Sequence, residues 1–339
     1  MTIHTRQASG NEAARLPAVF VSGRQHSGNT VVTTLIGRMR GCFMIENEGL
    51  FFEHRGSLGA MACAVERAAW IGANLRIKEA ELAKRVDEEL LAWAGEHREA
   101  NEIEVYRQAM AIAARLTNNR FWVQKATSYI TMAQEIIESM PEAKMVYMMR
   151  NPYDIFASTR RRGYSMGLLI QIGISWNIGG RIAQRLQQEH PDRMHIIRYE
   201  ALVSEPELIV SKLSEFLGEV YDASLLDVEH VNPSENQYKV VKGQRGFNKS
   251  RLYYYQNNLS KAEIAAMDSL VDQKVICSHY PDLPHLGQAA GAWVRLKAWW
   301  LIVCSCVQYP SVVIMRRWRS GLNVRHYVSR RLRMLLKMR

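Results

Sequence analysis

Short runs of β-branched and apolar residues alternate along this chain with stretches that repeat at the helical period. Val19–Phe20–Val21 ends in Ser22–Gly23, and the apolar helical pattern Val31–Val32–Thr33–Thr34–Leu35–Ile36 begins a few residues later. That order predicts strand, tight turn, helix. Further strands are predicted from Gly41 to Ile45, Phe121 to Lys125, Lys144 to Met149 and Met194 to Glu200. The run ending at Met149 is nearly all apolar, as a strand buried on both faces should be. Helices are predicted from Ala126 to Met140, stopped by Pro141, from Ser165 to His190, and from Pro206 to Leu217, closed by Gly218. Ser260 followed by Glu263 forms a capping box that starts another. Gly59 to Asn119 is rich in Ala, Leu, Glu and Arg and holds no proline. It predicts two or three helices over the mouth of the sheet, whose Trp70, Trp93 and Tyr106 either line a cleft or fill the core. Strands alternating with helices give an α/β fold, a central parallel sheet flanked by helices.

The chemistry is concentrated where the predicted strands end. Gly23–Arg24–Gln25–His26–Ser27–Gly28–Asn29–Thr30 has two glycines that let the turn close tightly. The amides from Gln25 to Thr30 then converge at a helix N-terminus, a nest that favours phosphate or sulfate. The spacing Gly23-x4-Gly28-x-Thr30 is that of a nucleotide phosphate loop, with Asn29 where an NTPase carries its lysine. Without that point charge, hydrolysis of ATP or GTP is disfavoured. Glu46, Glu48, Glu53 and His54 follow the second strand beside Phe51–Phe52, and such carboxylates either serve as a proton acceptor or form a solvated acidic loop. Lys125 and Arg150 also stand directly after strands, where ligands of open parallel sheets sit. Arg150 is read equally as a ligand contact or a surface charge. Lys239 to Lys249 is a basic, glycine-punctuated loop that predicts a lid or phosphate clamp.

Charge changes the picture at the C-terminus. The 339 residues carry a net charge of +11, but eleven basic residues and no acidic one follow Asp282. The body is therefore balanced, which argues against nucleic acid as a partner of the whole protein. Domain boundaries follow: a domain over 17–284, with 59–119 as a helical substrate-side insertion, and a basic tail over 285–339. Ala298 to Met315 is uncharged but interrupted by Gln308 and Pro310, short for a membrane span. Arginines then interleave with Trp318, Leu322, Tyr327 and Leu332. The tail is read either as an interfacial anchor over 298–339 or as a segment docked on the body. Five scattered cysteines with no metal-ligand spacing, and a polar start without an apolar leader, point to the cytoplasm, peripheral on the inner face of the membrane if the tail is an anchor. No metal site is expected.

With these elements placed, the chain resembles the sulfotransferases that use 3′-phosphoadenosine 5′-phosphosulfate (PAPS) and release PAP. Four ordered signals between Val19 and Leu270 carry the resemblance. The first loop is similar to the family's 5′-phosphosulfate loop. Arg150 and Ser158, eight apart, match its 3′-phosphate pair. Arg198–Tyr199–Glu200–Ala201–Leu202 before Glu205–Pro206 resembles its Tyr-Glu-Asp-Leu segment. Lys242–Gly243 opens a match to its final Lys-Gly-x-x-Gly-x-x-Lys loop. The resemblance implies the P-loop NTPase-like sulfotransferase fold with an added basic, helical C-terminal tail. It implies that Arg24, Gln25, His26, Ser27, Gly28, Asn29 and Thr30 hold the 5′-phosphosulfate. Arg150, Ser158, Lys242 and Gly243 would hold the 3′-phosphate, with Tyr199 near the adenine. Glu48 is placed like the catalytic glutamate of the glucosaminyl sulfotransferases, which also precedes a Phe-Phe pair, and this points to a carbohydrate acceptor. Lys125 falls where Golgi-type members carry a lysine in a segment after a strand. His26, Asn29 and Val241 depart from the family pattern. His26 stands where a Lys or Arg stabilises the bridging oxygen, a role open to protonated His26 or to Arg24. Glu48, His26 and Lys125 are the expected catalytic residues. Two other readings remain: a phosphate-loop kinase or NTPase, and a degenerate module that binds nucleotide or glycan without chemistry.

Overall fold

A computed structural model of the chain describes residues 15–161, 167–234, 237–247, 249–281, 283 and 290–320. The contacts divide it into two compact units, Met1–Arg150 with Ile178–Ser250, and Asn151–Asn177 with Arg251–Arg339.

The first unit is built on five parallel strands, β1 (Ala18–Gly23), β2 (Cys42–Ile45), β3 (Phe121–Lys125), β4 (Ala143–Met149) and β5 (Met194–Arg198), in the order β2-β3-β1-β4-β5. All six residues of β1 are buried, and period-2 alternation sends them to two different cores. Val19 and Val21, with Phe121, Val123, Val146 and Met148, join one core shared with the helices Asn29–Gly37 and Pro206–Leu217. On the other face Phe20 meets Phe52, Trp122 and Tyr129 at ring separations of 5.1–5.8 Å. Phe51 stacks on Tyr106 at 4.0 Å. Tyr106 is 1% exposed, so it is core. Trp70 lies against His54, and Trp93 stacks on His97.

The segment before β3 holds the helices Ala64–Leu75, Ala80–Glu96 and Glu102–Leu116, preceded by Phe51–Gly59. Pro206–Leu217 starts with its proline and ends at Gly218 with φ 80°, a left-handed cap that glycine adopts without strain. Three expectations need correction. Ala126 to Met140 is not one helix but a 3₁₀ turn at Tyr129–Met132 and a short helix, Ala133–Ser139. The cause is tertiary, since Ser22 Oγ accepts the Ile130 N–H at 2.9 Å across 108 residues. The strand expected to run through Glu200 ends at Arg198, and Tyr199 opens the helix Tyr199–Ser204. The basic segment read as a loop is mostly a strand: β6 (Glu229–Ser234) and β7 (Gln237–Arg245) form an antiparallel hairpin, and Lys242 and Gly243 lie within β7. Lysines and a glycine hid the β-branched pair Val240–Val241 that suits a ladder.

In the second unit, the helix Pro152–Arg160 carries Ser158. Tyr153 donates to Asp268 at 2.7 Å, and the Tyr255 N–H donates to Asp154 at 2.9 Å. Ser260 and Glu263 form the expected capping box on Lys261–Leu270. The helix Leu168–Glu189, of which Ile178–Glu189 is counted with the first unit, falls inside the stretch expected from Ser165 to His190, whose residues 165–166 lie outside the described residues. Within the tail the described residues form one helix, Ala292–Ser320, with Pro310 inside it; the part of the tail over 321–339 lies outside the described residues. Among the described residues no helix is long and apolar enough to cross a membrane.

Candidate active site

Because the five strands are parallel, all their carboxyl ends lie on one edge of the sheet. The register levels them: Val21 pairs with Lys125, Ile45 with Gln124, Gly23 with Met148 and Met149 with Arg198. The chain runs from β1 outward to β2, returns to β3, and crosses to β4 on β1's other side. Such a switch point opens a crevice where open α/β sheets bind ligands. Five of the sequence candidates stand there: the loop after β1, Glu48 after β2, Lys125 at the end of β3, Arg150 after β4 and Tyr199 after β5.

The loop is shaped by its own backbone. The Ser27 N–H donates to the Arg24 carbonyl at 3.1 Å, and His26 takes a φ of 71° in that turn. A positive φ at the third turn position is ordinarily glycine's, so His26 holds a less common conformation of the kind found at functional sites. Gly28 has φ 95° and caps the helix Asn29–Gly37. A Cβ there would stand 2.7 Å from the Tyr199 ring, and one on Gly23 would stand 2.5 Å from the Met148 carbonyl. Among the described residues no side chain caps the first turn of this helix, and no acid lies in it, so its leading N–H groups are left available to an anion. Ser27 is fully buried, and among the described residues its hydroxyl has no hydrogen-bond partner. A buried hydroxyl in that state is costly unless a ligand completes it. A phosphate or sulfate group fits both features.

Asn29 does something the sequence did not show. Its side-chain N–H₂ donates to the Gly23 carbonyl at 2.9 Å and to that of Arg24 at 3.3 Å. The side chain therefore braces the loop, and only its backbone N–H remains for an anion. Arg150 is 5% exposed; it donates to the His26 carbonyl at 2.8 Å and lies over the Tyr199 ring at 4.4 Å. Burial pushes the Tyr147 phenol well above its ordinary range, with the Arg24 charge opposing that rise.

Glu48 is held on the same edge from β3. Its carboxylate accepts the Thr127 N–H at 2.9 Å, while the Gly49 N–H donates to the Lys125 carbonyl at 2.9 Å. Gly49 was missed in the sequence. A Cβ on it would stand 2.4 Å from Gln124 Oε1 and 2.9 Å from the Tyr129 hydroxyl. Gln124 is itself fixed by the Tyr106 hydroxyl at 2.7 Å. Burial raises the Tyr129 phenol above its ordinary range, and the Glu53 and Glu48 carboxylates add to that. Tyr129 thus stays protonated beside the acidic loop. Glu46 and Glu48 are both exposed, but Glu46 is ion-paired with Lys78. Phe51 and Phe52 are 4% and 2% exposed, so they support the loop from the core. Ser158 lies in the second unit, and the β7 backbone carries Lys242 and Gly243. Among the described residues no three His, Cys, Asp or Glu group as metal ligands.

One substitution separates the loop's stability from its ligand. Ser27→Ala is expected to leave the melting temperature of the free protein unchanged or slightly higher, because it removes an uncompensated buried hydroxyl. The stabilisation by PAP is expected to shrink by about 1 kcal/mol, read by thermal denaturation with and without ligand.

The family described as the Sulfotransferase family matches residues 17–223. That span includes every candidate above except Lys242 and Gly243. No curated protein matches the chain. Among solved structures, the chain is similar to the sulfotransferase domain from the curacin biosynthetic pathway, with 18% identity and a TM-score of 0.51 over 80% of this chain and 100% of that one. It also matches the sulfotransferase domain of the Synechococcus PCC 7002 olefin synthase, with 16% identity and a TM-score of 0.43 over 84% and 92% of the two chains. For retinol dehydratase in complex with retinol and PAP the values are 13%, 0.38, 80% and 83%.

Proposed function

We propose, from the premise that this chain belongs to the sulfotransferase family and is a PAPS-dependent sulfotransferase, that its acceptor is a carbohydrate and that the strand-end edge of the first unit is where transfer occurs. PAPS supplies an activated sulfuryl group whose bond to the 5′-phosphate breaks as the acceptor oxygen or nitrogen bonds to sulfur.

In this reading Glu48 takes the acceptor proton, since its exposed carboxylate is held on the edge by the Thr127 N–H. The N–H groups opening Asn29–Gly37, the Ser27 hydroxyl, Arg24, Gln25 and Thr30 hold the 5′-phosphosulfate. His26 and Lys125 face the negative charge that builds on the leaving phosphate. Preorganised donors of this kind carry much of the catalysis in group transfer. Arg150 takes the 3′-phosphate, with Ser158, Lys242 and Gly243 as further contacts, and Tyr199 lies by the adenine. The observation that carries the reading is the pairing of a buried Ser27 hydroxyl, without a hydrogen-bond partner among the described residues, with an uncapped helix N-terminus on the edge that holds Glu48.

The acceptor rests on the resemblance of Glu48 and the following Phe51–Phe52 to glucosaminyl sulfotransferases. Location at the inner face of a membrane, with 298–339 in peripheral contact, belongs to the same proposal. Transfer of labelled sulfate from PAPS to amino- and hydroxyl-bearing saccharides, set against sterols, retinoid alcohols and phenols, tests the acceptor. Label on saccharides supports the proposal; label confined to the apolar alcohols rejects the carbohydrate and keeps the chemistry. No label on any acceptor, with PAP still bound, makes the protein a binding module.

A further inference from the structure

The helix Ala292–Ser320 hides one face and exposes another. Ala298 and Ser305, seven residues and thus two turns apart, are 4% and 0% exposed. Ser305 Oγ accepts the Ile170 N–H at 3.1 Å, and Gln308 Oε1 accepts that of Gly167 at 3.2 Å. This face is therefore docked within the second unit. The rest carries Trp293, Leu296, Trp299, Trp300 and Val307, all between 55% and 74% exposed. Positions 293, 296, 300 and 307 fall on one stripe. A helix that leaves such a stripe in water is marking a contact surface.

The stripe borders a groove of about 900 Å³ between the start of this helix and residues 257–263. Leu259 and Leu301 line it and the three tryptophans stand along it. Lys297 lies over the Trp293 ring at 5.3 Å, and Arg160 is bonded to Glu263 at 2.6 Å. The acid of the groove is thus neutralised, while eleven basic residues and no acid follow Asp282 in the chain. Tryptophan favours the boundary between water and hydrocarbon, and lysine or arginine beside it reaches the headgroups. With Glu263 paired to Arg160, Lys297 leaves the described face cationic, and like-charged faces repel, which disfavours a second copy of this chain as the occupant.

We propose that this tryptophan-rimmed groove is a docking face for an anionic lipid surface. It deepens and rests on the peripheral membrane contact proposed above, moving that contact to a face that begins at Trp293, and it is independent of the sulfuryl chemistry.

The full chain is sedimented with vesicles of phosphatidylcholine alone and with vesicles containing about one-third phosphatidylglycerol. Binding is expected to be at least about ten-fold tighter to the anionic vesicles, and brominated acyl chains are expected to quench tryptophan emission. The double variant Trp299→Ser/Trp300→Ser is expected to lose about ten-fold in vesicle affinity and most of the quenching. Both positions are exposed, so its melting temperature and its stabilisation by PAP should match the parent's. Absence of anionic-vesicle binding, equal binding to neutral vesicles, or an unaffected double variant overturns the proposal. So does a concentration-dependent dimer that the double variant abolishes. Loss of PAP stabilisation in the parent speaks against the proposed function and leaves this docking face standing.

Discussion

Glu48→Gln is expected to reduce sulfuryl transfer by about 10²–10⁴-fold while leaving PAP binding and melting temperature within error of the parent. The amide keeps the shape of the carboxyl group and can still accept the Thr127 N–H that Glu48 receives at 2.9 Å. It cannot take a proton. The loop also stays pinned through Gly49, whose N–H reaches the Lys125 carbonyl at 2.9 Å. Single-turnover transfer from labelled PAPS checks the effect, and thermal denaturation with PAP checks that the site is intact. Retained turnover would move the base to Glu53 or His54, since Glu46 is engaged by Lys78.

Arg150→Ala is the second large effect, and it falls on binding. The side chain is 5% exposed and joins two parts of the edge, bonding the His26 carbonyl and covering the Tyr199 ring. If the same guanidinium takes the 3′-phosphate, its removal deletes charge-assisted hydrogen bonds to an anion in a desolvated place. The expected loss is roughly 2–4 kcal/mol, or about 30- to 1,000-fold in PAP affinity. AMP, which lacks the 3′-phosphate, should bind the variant and the parent more nearly alike. Calorimetric titration with both nucleotides measures this difference of differences. Arg150→Lys is expected to recover little, because a lysine offers neither the planar fork nor the same stacking on Tyr199. An equal loss for PAP and AMP would make Arg150 a support of the loop instead of a phosphate ligand.

The parallel strands and the glycine-bounded turn after β1 were legible because local signals and tertiary structure agree there. The apolar run through Met149, the Pro206 and Gly218 bracket, and the Gly23 and Gly28 spacing each state a geometry that the fold keeps. What sequence hid depends on partners far along the chain. Asn29 looked like a ligand substitute, and only the folded turn shows its amide spent on the Gly23 and Arg24 carbonyls. Gly49 carried no motif, and its need for close approach comes from Gln124 and Tyr129, more than 70 residues away. The 3₁₀ turn at Tyr129–Met132 answers to Ser22 on β1. β7 was misread because its lysines and Gly243 mask a ladder that the antiparallel partner stabilises.

The measurement that bears most directly on the edge as a PAPS site is thermal stabilisation of the full chain by PAP, with AMP and ATP beside it. Ligand at about 100 times its dissociation constant adds roughly 2.7 kcal/mol, a clear shift in melting temperature. A saturable shift for PAP, much smaller for AMP and ATP and reduced by both Ser27→Ala and Arg150→Ala, is the predicted result. A shift for ATP without one for PAP would contradict the account and make the loop a nucleotide-triphosphate site.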